Sequence, residues 1–351
     1  MMINRIKSIY EKLEDEESKE IFCSRLFYAF TGNKAYMDEM IRKYIMPTGL
    51  NEEGAVKYLL DGIENFAENM PLVIYGCGEM GKKIYEYIGE RAACFCDRGI
   101  EKQKSGFCGK PVISPEYLIE NKEKYAVIIG SVDYYKEIYY FLRKNGVWDI
   151  LDNQQKIASW LELAEKQYFD EEIIQFGENE VFVDGGCLNF GTSKQLLKRC
   201  PQVKMIYAFE PDCASAERCR AEAEKTGFKN YCIIEKGLYS KETELHFKGL
   251  GNGCSGIAEE GEMVIQTGTI DQEIKDRVTF IKMDIEGAEL EALKGAEKTI
   301  CRDHPKLAIC IYHKAEDILE LPEFIMQLDS SYRLYLRHYS DNEGETVLYA
   351  V

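Results

Sequence analysis

Helical spacing of apolar residues dominates the first part of this chain. Residues 1–68 carry apolar positions at helical intervals among many charges, and they show no β-like alternation. Asp15 or Ser18 is placed to cap one helix, and Gly32 predicts a break before the next one. We therefore predict a helical N-terminal segment that packs on the rest of the molecule.

Strand-like and helix-like stretches begin to alternate at Pro71. The apolar run Leu72–Tyr75 is followed by a turn with the glycine spacing G-x-G-x-x-G and then by a helix-like stretch. Two further apolar runs, at residues 92–95 and 126–130, also precede helix-like sequence. Such alternation is typical of a parallel sheet covered by helices. Residues 69–152 are therefore predicted to form a small Rossmann-like domain of nucleotide-binding type.

The glycine turn of this domain defines a candidate second nucleotide site. Backbone N–H groups at a glycine turn before a helix can approach a phosphate, and a carboxylate after the second strand can hold a ribose diol. The candidate residues are Gly76, Gly78, Gly81 and Asp97. A scaffold whose glycines only serve a tight turn explains the same pattern, so both interpretations stay open at this point.

A second strand, glycine turn and helix start at Val181. The apolar run ends in Asp184, and the turn after it, GGCLNFG, lacks the glycine spacing of a dinucleotide fingerprint. A carboxylate beside an open glycine turn suits the ammonium group of a methionine-derived sulfonium better than a pyrophosphate. More βα units follow, and two adjacent strand-like runs close the chain at 332–337 and 346–351. This order predicts a doubly wound α/β sheet of seven strands over residues 168–351.

The strand ends of this sheet supply the candidate cofactor residues. Glu210 follows the second strand and can accept both hydroxyl hydrogens of a ribose, while Asp284 ends the fourth strand at the same edge. Gly237 follows the third strand, where an adenine edge would be met. The predicted cofactor-binding residues are Asp184, Gly185, Gly186, Asn189, Phe190, Gly191, Glu210, Pro211, Gly237 and Asp284.

Several segments resemble the FkbM family of methyltransferases. They are VFVDGGCLNFGTS at 181–193, YAFEPD at 207–212, TIDQEI at 269–274, FIKMDIEGAELEALKGAEKTI at 280–300, PKLAICIYHKAEDILELP at 305–322, and YRLYLRHYS with ETVLYA near the end. The fourth segment is the most specific, since the fold does not demand D-x-E-G-A-E followed by L-K-G-A. Cys187 departs from the residue frequently found in this turn.

The resemblance covers residues 169–351, about half of the chain, and has implications for fold and chemistry. It implies a seven-stranded Rossmann-like (class I) methyltransferase sheet, preceded by the helical segment and the small Rossmann-like domain. It also implies S-adenosyl-L-methionine as the methyl donor. The acceptor in this family is commonly an oxygen on a sugar or a glycolipid-type molecule.

Methyl transfer to a hydroxyl requires alignment of donor and acceptor and a group that takes the proton. His313 and His338 lie at predicted strand ends of one sheet edge, so either is a candidate general base near neutral pH. Asp284 and Glu286 are candidates for orienting the hydroxyl or for holding a divalent ion that acidifies it. No metal site is predicted, because no set of histidines and carboxylates has a spacing that forces one. Pairing of His313 with nearby surface acids is an equally good interpretation.

Composition and charge limit the classes of binding partner that are expected. The net charge of −17 repels phosphate backbones and anionic lipids, so nucleic acid is not expected as a partner. Thirteen cysteines occur without a C-x-x-C pair, which favours reduced, structural thiols. No leader-like or membrane-spanning run is found, and a cytoplasmic protein is expected. Expected partners are a small-molecule or glycan substrate, with a homo-oligomer left open.

The leading prediction is an S-adenosylmethionine-dependent methyltransferase that methylates a hydroxyl on a sugar, glycan or nucleotide-linked sugar. Two other functions remain open from the sequence. One is a non-catalytic protein whose two nucleotide folds only bind ligands. The other is an NAD-linked oxidoreductase centred on the glycine turn at residues 76–81, since that spacing is shared with dinucleotide-binding domains.

Overall fold

The structure, a computed structural model, describes residues 2–45, 60, 62–63, 66, 70–131, 134–151, 165–248, 256–257, 263–340 and 342–351. The chain divides into two compact units, one formed by residues 1–45 with 165–351 and the other by residues 46–164. The N-terminal helices thus belong to the same unit as the C-terminal half. Sequence periodicity did not predict this division, because the apolar face of a helix does not identify the surface on which it packs.

The larger unit opens with helices α1 (Met2–Lys12), α2 (Glu16–Thr31) and α3 (Ala35–Tyr44). The Asp15 carboxylate caps α2 by accepting a hydrogen bond from Ser18 N at 2.8 Å. α2 ends at Gly32, which has the left-handed conformation with φ 67°. The cap at Asp15 and the break at Gly32 are confirmed, because both follow from local backbone chemistry.

The described part of the smaller unit contains a four-stranded parallel sheet in the order β3-β2-β1-β4. Its strands are β1 (Leu72–Tyr75), β2 (Ala92–Cys96), β3 (Val112–Ile113) and β4 (Ala126–Ile129), and its helices are α4 (Glu79–Ile88), α5 (Ile100–Ser105), α6 (Pro115–Glu120) and α7 (Tyr135–Lys144). Along β1, Leu72 and Ile74 belong to one apolar cluster and Val73 and Tyr75 to another. Both faces of the sheet are therefore covered, which is why the strand is an uninterrupted apolar run.

A seven-stranded sheet forms the centre of the larger unit, in the order β14-β15-β13-β12-β5-β6-β7. Its strands are β5 (Val181–Gly185), β6 (Met205–Phe209), β7 (Tyr231–Ile234), β12 (Phe280–Met283), β13 (Lys306–Cys310), β14 (Leu334–His338) and β15 (Thr346–Ala350). Strand β15 is antiparallel to both of its neighbours, and the other adjacent pairs are parallel. The strand order reverses between β5 and β12, so the crevice of a doubly wound sheet is expected beside β5. The predicted Rossmann-like fold with a closing strand pair is confirmed.

The helices of this part are α8 (Gly191–Arg199), α9 (Cys213–Thr226), α10 (Ile270–Glu273), α11 (Glu289–Lys294), α12 (Glu297–Asp303) and α13 (Asp317–Leu328). The chain divides at Gly295, so residues 289–303 form two helices, α11 and α12, in place of one. A Cβ atom on Gly295 would lie 2.1 Å from the Tyr239 carbonyl oxygen, so this close approach requires glycine. Nowhere in the described ranges is a helix both long and apolar enough to cross a membrane.

A second, small sheet lies between β7 and β12 in the sequence. It contains β8 (Gly237–Leu238), β9 (Glu244–Lys248), β10 (Gly256–Ile257) and β11 (Met263–Gly268), in the order β10-β9-β11-β8. The sequence analysis did not predict it, since polar residues interrupt its strands. Residues 249–255 and 258–262 lie outside the described residues.

The N-terminal helices cover the outer edge of the large sheet. Glu14 N donates to the Leu334 carbonyl at 3.0 Å, and Leu336 N donates to Ser18 Oγ at 2.9 Å. The Arg337 guanidinium lies 2.7 Å from the Asp15 carboxylate. These contacts satisfy backbone groups that an exposed edge strand would present to other chains.

Candidate active site

A crevice opens at the carboxyl edge of the large sheet, beside β5, β6 and β12. Its walls are formed by Gly186, Leu188, Phe209, Glu210, Pro211, Lys236, Gly237, Leu238, Ile265, Asp284, Ile285, Glu286 and Ala288. Five predicted cofactor residues lie on these walls, namely Gly186, Glu210, Pro211, Gly237 and Asp284. They follow different strands of the chain and meet here because parallel strands end at one edge.

Two backbone N–H groups hold the Glu210 carboxylate at the crevice. Oε2 accepts a hydrogen bond from Leu188 N at 2.9 Å, and Oε1 accepts one from Asp212 N at 3.0 Å. Burial raises the pKa of Glu210 and outweighs the opposing effect of these two hydrogen bonds. Each carboxylate oxygen has a second lone pair, so Glu210 can still accept the two hydroxyls of a diol.

The structure does not bring Asp184 to the crevice. Its side chain is fully buried, accepts a hydrogen bond from Ser193 Oγ at 2.7 Å and lies 3.3 Å from Lys282 Nζ. A direct contact between Asp184 and a cofactor ammonium does not fit this arrangement, because Lys282 already pairs with the carboxylate inside the protein.

Lys282 is a site residue that the sequence analysis missed. Its side chain is 2% exposed, and Nζ donates to the Gly185 and Gly186 carbonyl oxygens, both at 3.0 Å. Burial lowers the pKa of the ammonium, but the neighbouring carboxylates Asp184 and Asp284 raise it by more, so the net shift is upward. Lys282 therefore fixes the glycine turn from inside. The signal was a lysine within an apolar strand, since a buried charge requires a partner.

The other predicted residues of the glycine turn shape it without lining the described walls of the crevice. Asn189 Oδ1 accepts a hydrogen bond from Gly191 N at 2.9 Å. Phe190 is fully buried and starts α8 in the left-handed conformation with φ 62°. Gly185 packs beneath the crevice, where an added Cβ would lie 2.8 Å from Leu238 Cδ1. These residues set the path of the chain between β5 and α8.

His313 follows β13 and enters a group of carboxylates. Its Nδ1 lies 3.0 Å from Glu289 Oε1, and its Nε2 lies 3.5 Å from Asp284 Oδ1 and 3.6 Å from Glu286 Oε2. Glu289 is held in place because its Oε1 accepts a hydrogen bond from Ile285 N at 2.9 Å. Burial lowers the pKa of His313, but the three carboxylates raise it more, so the net shift is upward.

Glu286 adds a carboxyl group with an unusual protonation equilibrium. Burial raises its pKa to about 7, with Asp284 and Glu289 adding to the rise and the charge of His313 opposing it. Its backbone is left-handed, with φ 57°. Such a conformation is unfavourable for a non-glycine residue and is often found at functional sites. Glu286 can therefore exchange a proton near neutral pH.

Two tyrosines orient the Asp284 carboxylate. Tyr168 Oη donates to Oδ2 at 2.9 Å, and Tyr312 Oη donates to Oδ1 at 3.2 Å. Burial raises the pKa of Asp284, but Lys282 and His313 lower it more, so the net shift is downward and the group is ionised. The sequence analysis missed both tyrosines. Tyr168 gave no signal, since it is far from Asp284 in the chain.

His338, the second predicted base, does not join this group. It is 2% exposed, and its Nδ1 lies 2.7 Å from Thr346 Oγ1. Burial and the nearby Arg25 charge lower its pKa to about 3. The imidazole is therefore neutral. Helix α2 covers the strand that carries it, so a position at the end of a strand did not place His338 in the site.

Asp284, Glu289 and His313 also form a candidate cation site. Each offers one ligand atom, and these atoms lie within 4.8 Å of one another. Glu289 Oε2 is buried and makes no hydrogen bond to any residue in the described ranges. Oxygen and imidazole ligands suit several divalent ions. Sequence spacing did not reveal this set, since His313 comes from a different strand end.

The order of the seven-stranded sheet and the crevice at its carboxyl edge define a Rossmann-like (class I) fold. Residues 187–337 match the family model described as "Methyltransferase FkbM domain". This match lies within the segments whose motifs resemble the FkbM family, and it supports a methyltransferase domain in the C-terminal half of the chain.

Solved structures similar to this chain include methyltransferase FkbM from Methylobacillus flagellatus, with 20% identity, a TM-score of 0.48, and coverage of 86% of this chain and 100% of that chain. An rRNA methylase from Streptococcus thermophilus has 16% identity and a TM-score of 0.36, covering 54% of this chain and 93% of that chain. A Streptococcus mutans protein in complex with SAH has 15% identity and a TM-score of 0.35, covering 54% and 97%. The comparison with curated proteins gave no match.

Proposed function

We propose that this protein transfers a methyl group from S-adenosylmethionine to a hydroxyl group of its acceptor. The observation that carries the proposal is the position of Asp284 and Glu286. Both lie on the wall of the crevice that contains Glu210, and both lie within 3.6 Å of His313 Nε2. A diol-binding carboxylate and a proton acceptor therefore share one site.

The crevice residues fit the methyl donor. Glu210 keeps lone pairs for a ribose diol, and the apolar walls formed by Leu188 and Ile265 suit a flat base. The enclosed part of the crevice is about 100 Å³. Ligand pockets typically measure about 300–1,000 Å³, so the donor extends beyond this enclosed part. When bound, the donor supplies an electrophilic methyl carbon.

His313 is the proposed proton acceptor. Nδ1 lies 3.0 Å from the Glu289 carboxylate, which favours the neutral tautomer with its proton on Nδ1 and its lone pair on Nε2. The acceptor oxygen would form a bond to the methyl carbon as the bond between that carbon and the sulfonium sulfur breaks, which releases S-adenosylhomocysteine as a neutral thioether. The hydroxyl proton would move to Nε2. Asp284 and Glu286 then stabilise the imidazolium, as a carboxylate does for a catalytic histidine in a triad.

The charge of the site favours a neutral acceptor with several hydroxyls. Asp284, Glu286 and the partly buried Glu345 all contribute to the electrostatics around His313. Carboxylates accept hydrogen bonds from hydroxyls and repel anionic groups. A sugar or glycan hydroxyl meets these requirements and agrees with the acceptors implied by the resemblance.

Binding of the donor is tested by calorimetry on the full chain, comparing wild type with Glu210→Gln. Loss of a charge-assisted hydrogen bond costs about 1.5–3 kcal/mol, so the variant is expected to bind S-adenosylmethionine at least about tenfold more weakly. Glu235→Gln is the matched control, because that carboxylate pairs with Arg220 outside the crevice. Equal affinity of Glu210→Gln and wild type would contradict the assignment.

Turnover separates an enzyme from a protein that only binds ligands. The full chain is incubated with S-adenosylmethionine and a panel of mono- and oligosaccharides, and formation of S-adenosylhomocysteine is measured. The proposal predicts product that depends on the added acceptor. Tight donor binding without turnover on any member of the panel would instead favour the non-catalytic alternative.

A further inference from the structure

The smaller unit contains a cavity that the methyl-transfer site does not use. It measures about 650 Å³ and lies at the carboxyl edge of β1, β2 and β4. This volume is within the range of about 300–1,000 Å³ typical of ligand pockets. The sheet order β3-β2-β1-β4 places the cavity beside the switch between β1 and β4, where open α/β sheets bind ligands.

Gly76 and Gly81, in the first βα turn, allow close packing of the backbone. A Cβ on Gly81 would lie 2.1 Å from the Gly76 carbonyl oxygen, and a Cβ on Gly76 would lie 2.8 Å from the Gly130 carbonyl oxygen. These positions have a structural explanation that needs no ligand. They bring the end of β1 and the start of α4 close together.

Gly78 has no such explanation. It lines the cavity, and a Cβ placed on it would meet nothing within 4 Å. Its φ of −112° is open to any residue. Gly78 is also the N-cap of α4 and provides no side-chain cap for the N–H groups of the first turn. The open space at the start of this ten-residue helix suits an anionic group.

Tyr75 provides an independent sign of a ligand. It lines the cavity and is 3% exposed, and its hydroxyl makes no hydrogen bond of ordinary length to any residue in the described ranges. Burial raises the pKa of Tyr75, and the Arg98 guanidinium, which also lines the cavity, opposes that rise without making such a hydrogen bond. A buried hydroxyl without a partner costs free energy, so a ligand group that accepts or donates a hydrogen bond there would recover it.

The side chains around the cavity fit a phosphate and a ribose. Lys83 lines the wall and pairs with no acid among the described residues. Asp97 follows β2, where its Oδ2 accepts hydrogen bonds from Cys77 N at 2.9 Å and Lys102 Nζ at 3.2 Å, and its Oδ1 accepts one from Gly99 N at 2.8 Å. A carboxylate has about four lone-pair positions, so Oδ1 can accept one more hydroxyl.

We propose that this cavity binds a nucleotide, with a phosphate at the N-terminus of α4 near Lys83 and a ribose hydroxyl on Asp97. The proposal rests on residues of the smaller unit alone and does not depend on the proposed methyl transfer. Tyr75 donates to the ligand from the cavity wall. The phosphate oxygens accept hydrogen bonds from the uncapped backbone N–H groups beside Gly78.

The test is calorimetric titration of the full chain with ADP, UDP and NADH. S-adenosylhomocysteine is kept in excess to occupy the other crevice, and Glu210→Gln is measured in parallel. At least one nucleotide is expected to bind, with the matching nucleoside at least about tenfold weaker because it lacks the phosphate. The absence of binding by all three nucleotides at millimolar concentration would overturn the proposal.

Variants locate the binding. Gly78→Asp supplies a helix cap, places a negative charge at the phosphate position and is expected to abolish binding without loss of stability. Tyr75→Phe removes only the hydroxyl and is expected to weaken binding while leaving the melting temperature unchanged or higher. Lys83→Gln should weaken binding, whereas Lys82→Gln should not, because the adjacent Lys82 does not line the cavity. Binding that survives Gly78→Asp but is lost in Glu210→Gln would overturn the proposal, since the nucleotide would then occupy the other crevice.

Discussion

Lys282 Nζ lies 3.3 Å from Asp184 Oδ1 beneath the glycine turn of the larger unit, and both side chains are almost completely buried. This pair connects two adjacent strands, because Lys282 and Asp184 are partners in the register of β12 and β5. Lys282 also holds the two carbonyl oxygens of the turn. The glycine turn at the crevice thus depends on an ion pair behind it.

Lys282→Met is expected to destabilise the protein by about 3–5 kcal/mol, because it leaves the Asp184 carboxylate buried without a counter-charge. The free energy of unfolding from urea titration measures the effect. Addition of Asp184→Asn should recover much of the loss, since the amide keeps an acceptor for Ser193. Lys204→Met is the control, because that lysine pairs with Asp276 at the surface and should cost less than about 1 kcal/mol. A similarly small cost for Lys282→Met would contradict a structural role of the buried pair.

The methyl-transfer rate is expected to rise with pH, and the midpoint of this rise is expected to lie above 6.5, the ordinary pKa of histidine. A general base acts in its neutral form, and the carboxylates around His313 raise its pKa. A pH profile of turnover at saturating donor measures this dependence. His313→Gln should lower kcat by about 10²–10⁴ while donor affinity stays the same, and the pH step should disappear. His304→Gln is the control, since that ring contacts Ser331 away from the crevice. A full pH step in His313→Gln would assign the titration to another group, with Glu286 the next candidate.

His338 is expected to make the protein less stable in acid. Its pKa is lowered to about 3 in the folded state, so the unfolded chain binds more protons between that pH and about 6.5. Stability from this group is therefore present above pH 6.5 and is lost as the pH falls. Between pH 7 and pH 5 the wild type should lose about 2 kcal/mol more than His338→Asn, which does not titrate. Urea unfolding at both pH values checks this, and equal losses would contradict it.

Removal of divalent ions is expected to leave methyl transfer unchanged. In the proposed mechanism Glu289 holds His313 as a proton acceptor, with no metal ion between them. Turnover is measured before and after dialysis against EDTA. If activity is lost and returns with Mg²⁺ or Mn²⁺, the trio Asp284, Glu289 and His313 is a metal site, and the proton-acceptor role of His313 is wrong.

Much of the fold followed from the sequence because buried parallel strands are short, continuous apolar runs with turn residues on both sides. The strand Leu72–Tyr75 has the predicted bounds, and the strand Met205–Phe209 ends directly before Glu210, as predicted. The small sheet that contains β9 (Glu244–Lys248) was not predicted, although the alternation of polar and apolar residues in β9 is typical of a half-buried strand. Two of its other strands, β8 and β10, have two residues each and are too short to give a pattern. Division of the helix at Gly295 also depends on a tertiary contact that local propensity does not encode.

Parts of the candidate site followed from strand ends alone. Glu210 and Asp284 both end up on the crevice wall, because a doubly wound sheet collects the carboxyl ends of its parallel strands at one edge. The same rule also placed Asp184 and His338 in the site, which is wrong. Asp184 points into the interior, and α2 covers His338. Tyr168 contacts Asp284 only through tertiary packing, and no sequence motif relates two residues that are so far apart in the chain.

The central claim is methyl transfer to oxygen with His313 as the proton acceptor. The most direct measurement uses S-adenosylmethionine labelled with ¹³C in its methyl group and detects the labelled product of a saccharide acceptor by NMR. The proposed mechanism predicts an O-methyl carbon signal for wild type and His304→Gln and its near absence for His313→Gln. A labelled methyl on nitrogen or carbon, or equal product from His313→Gln, would contradict it.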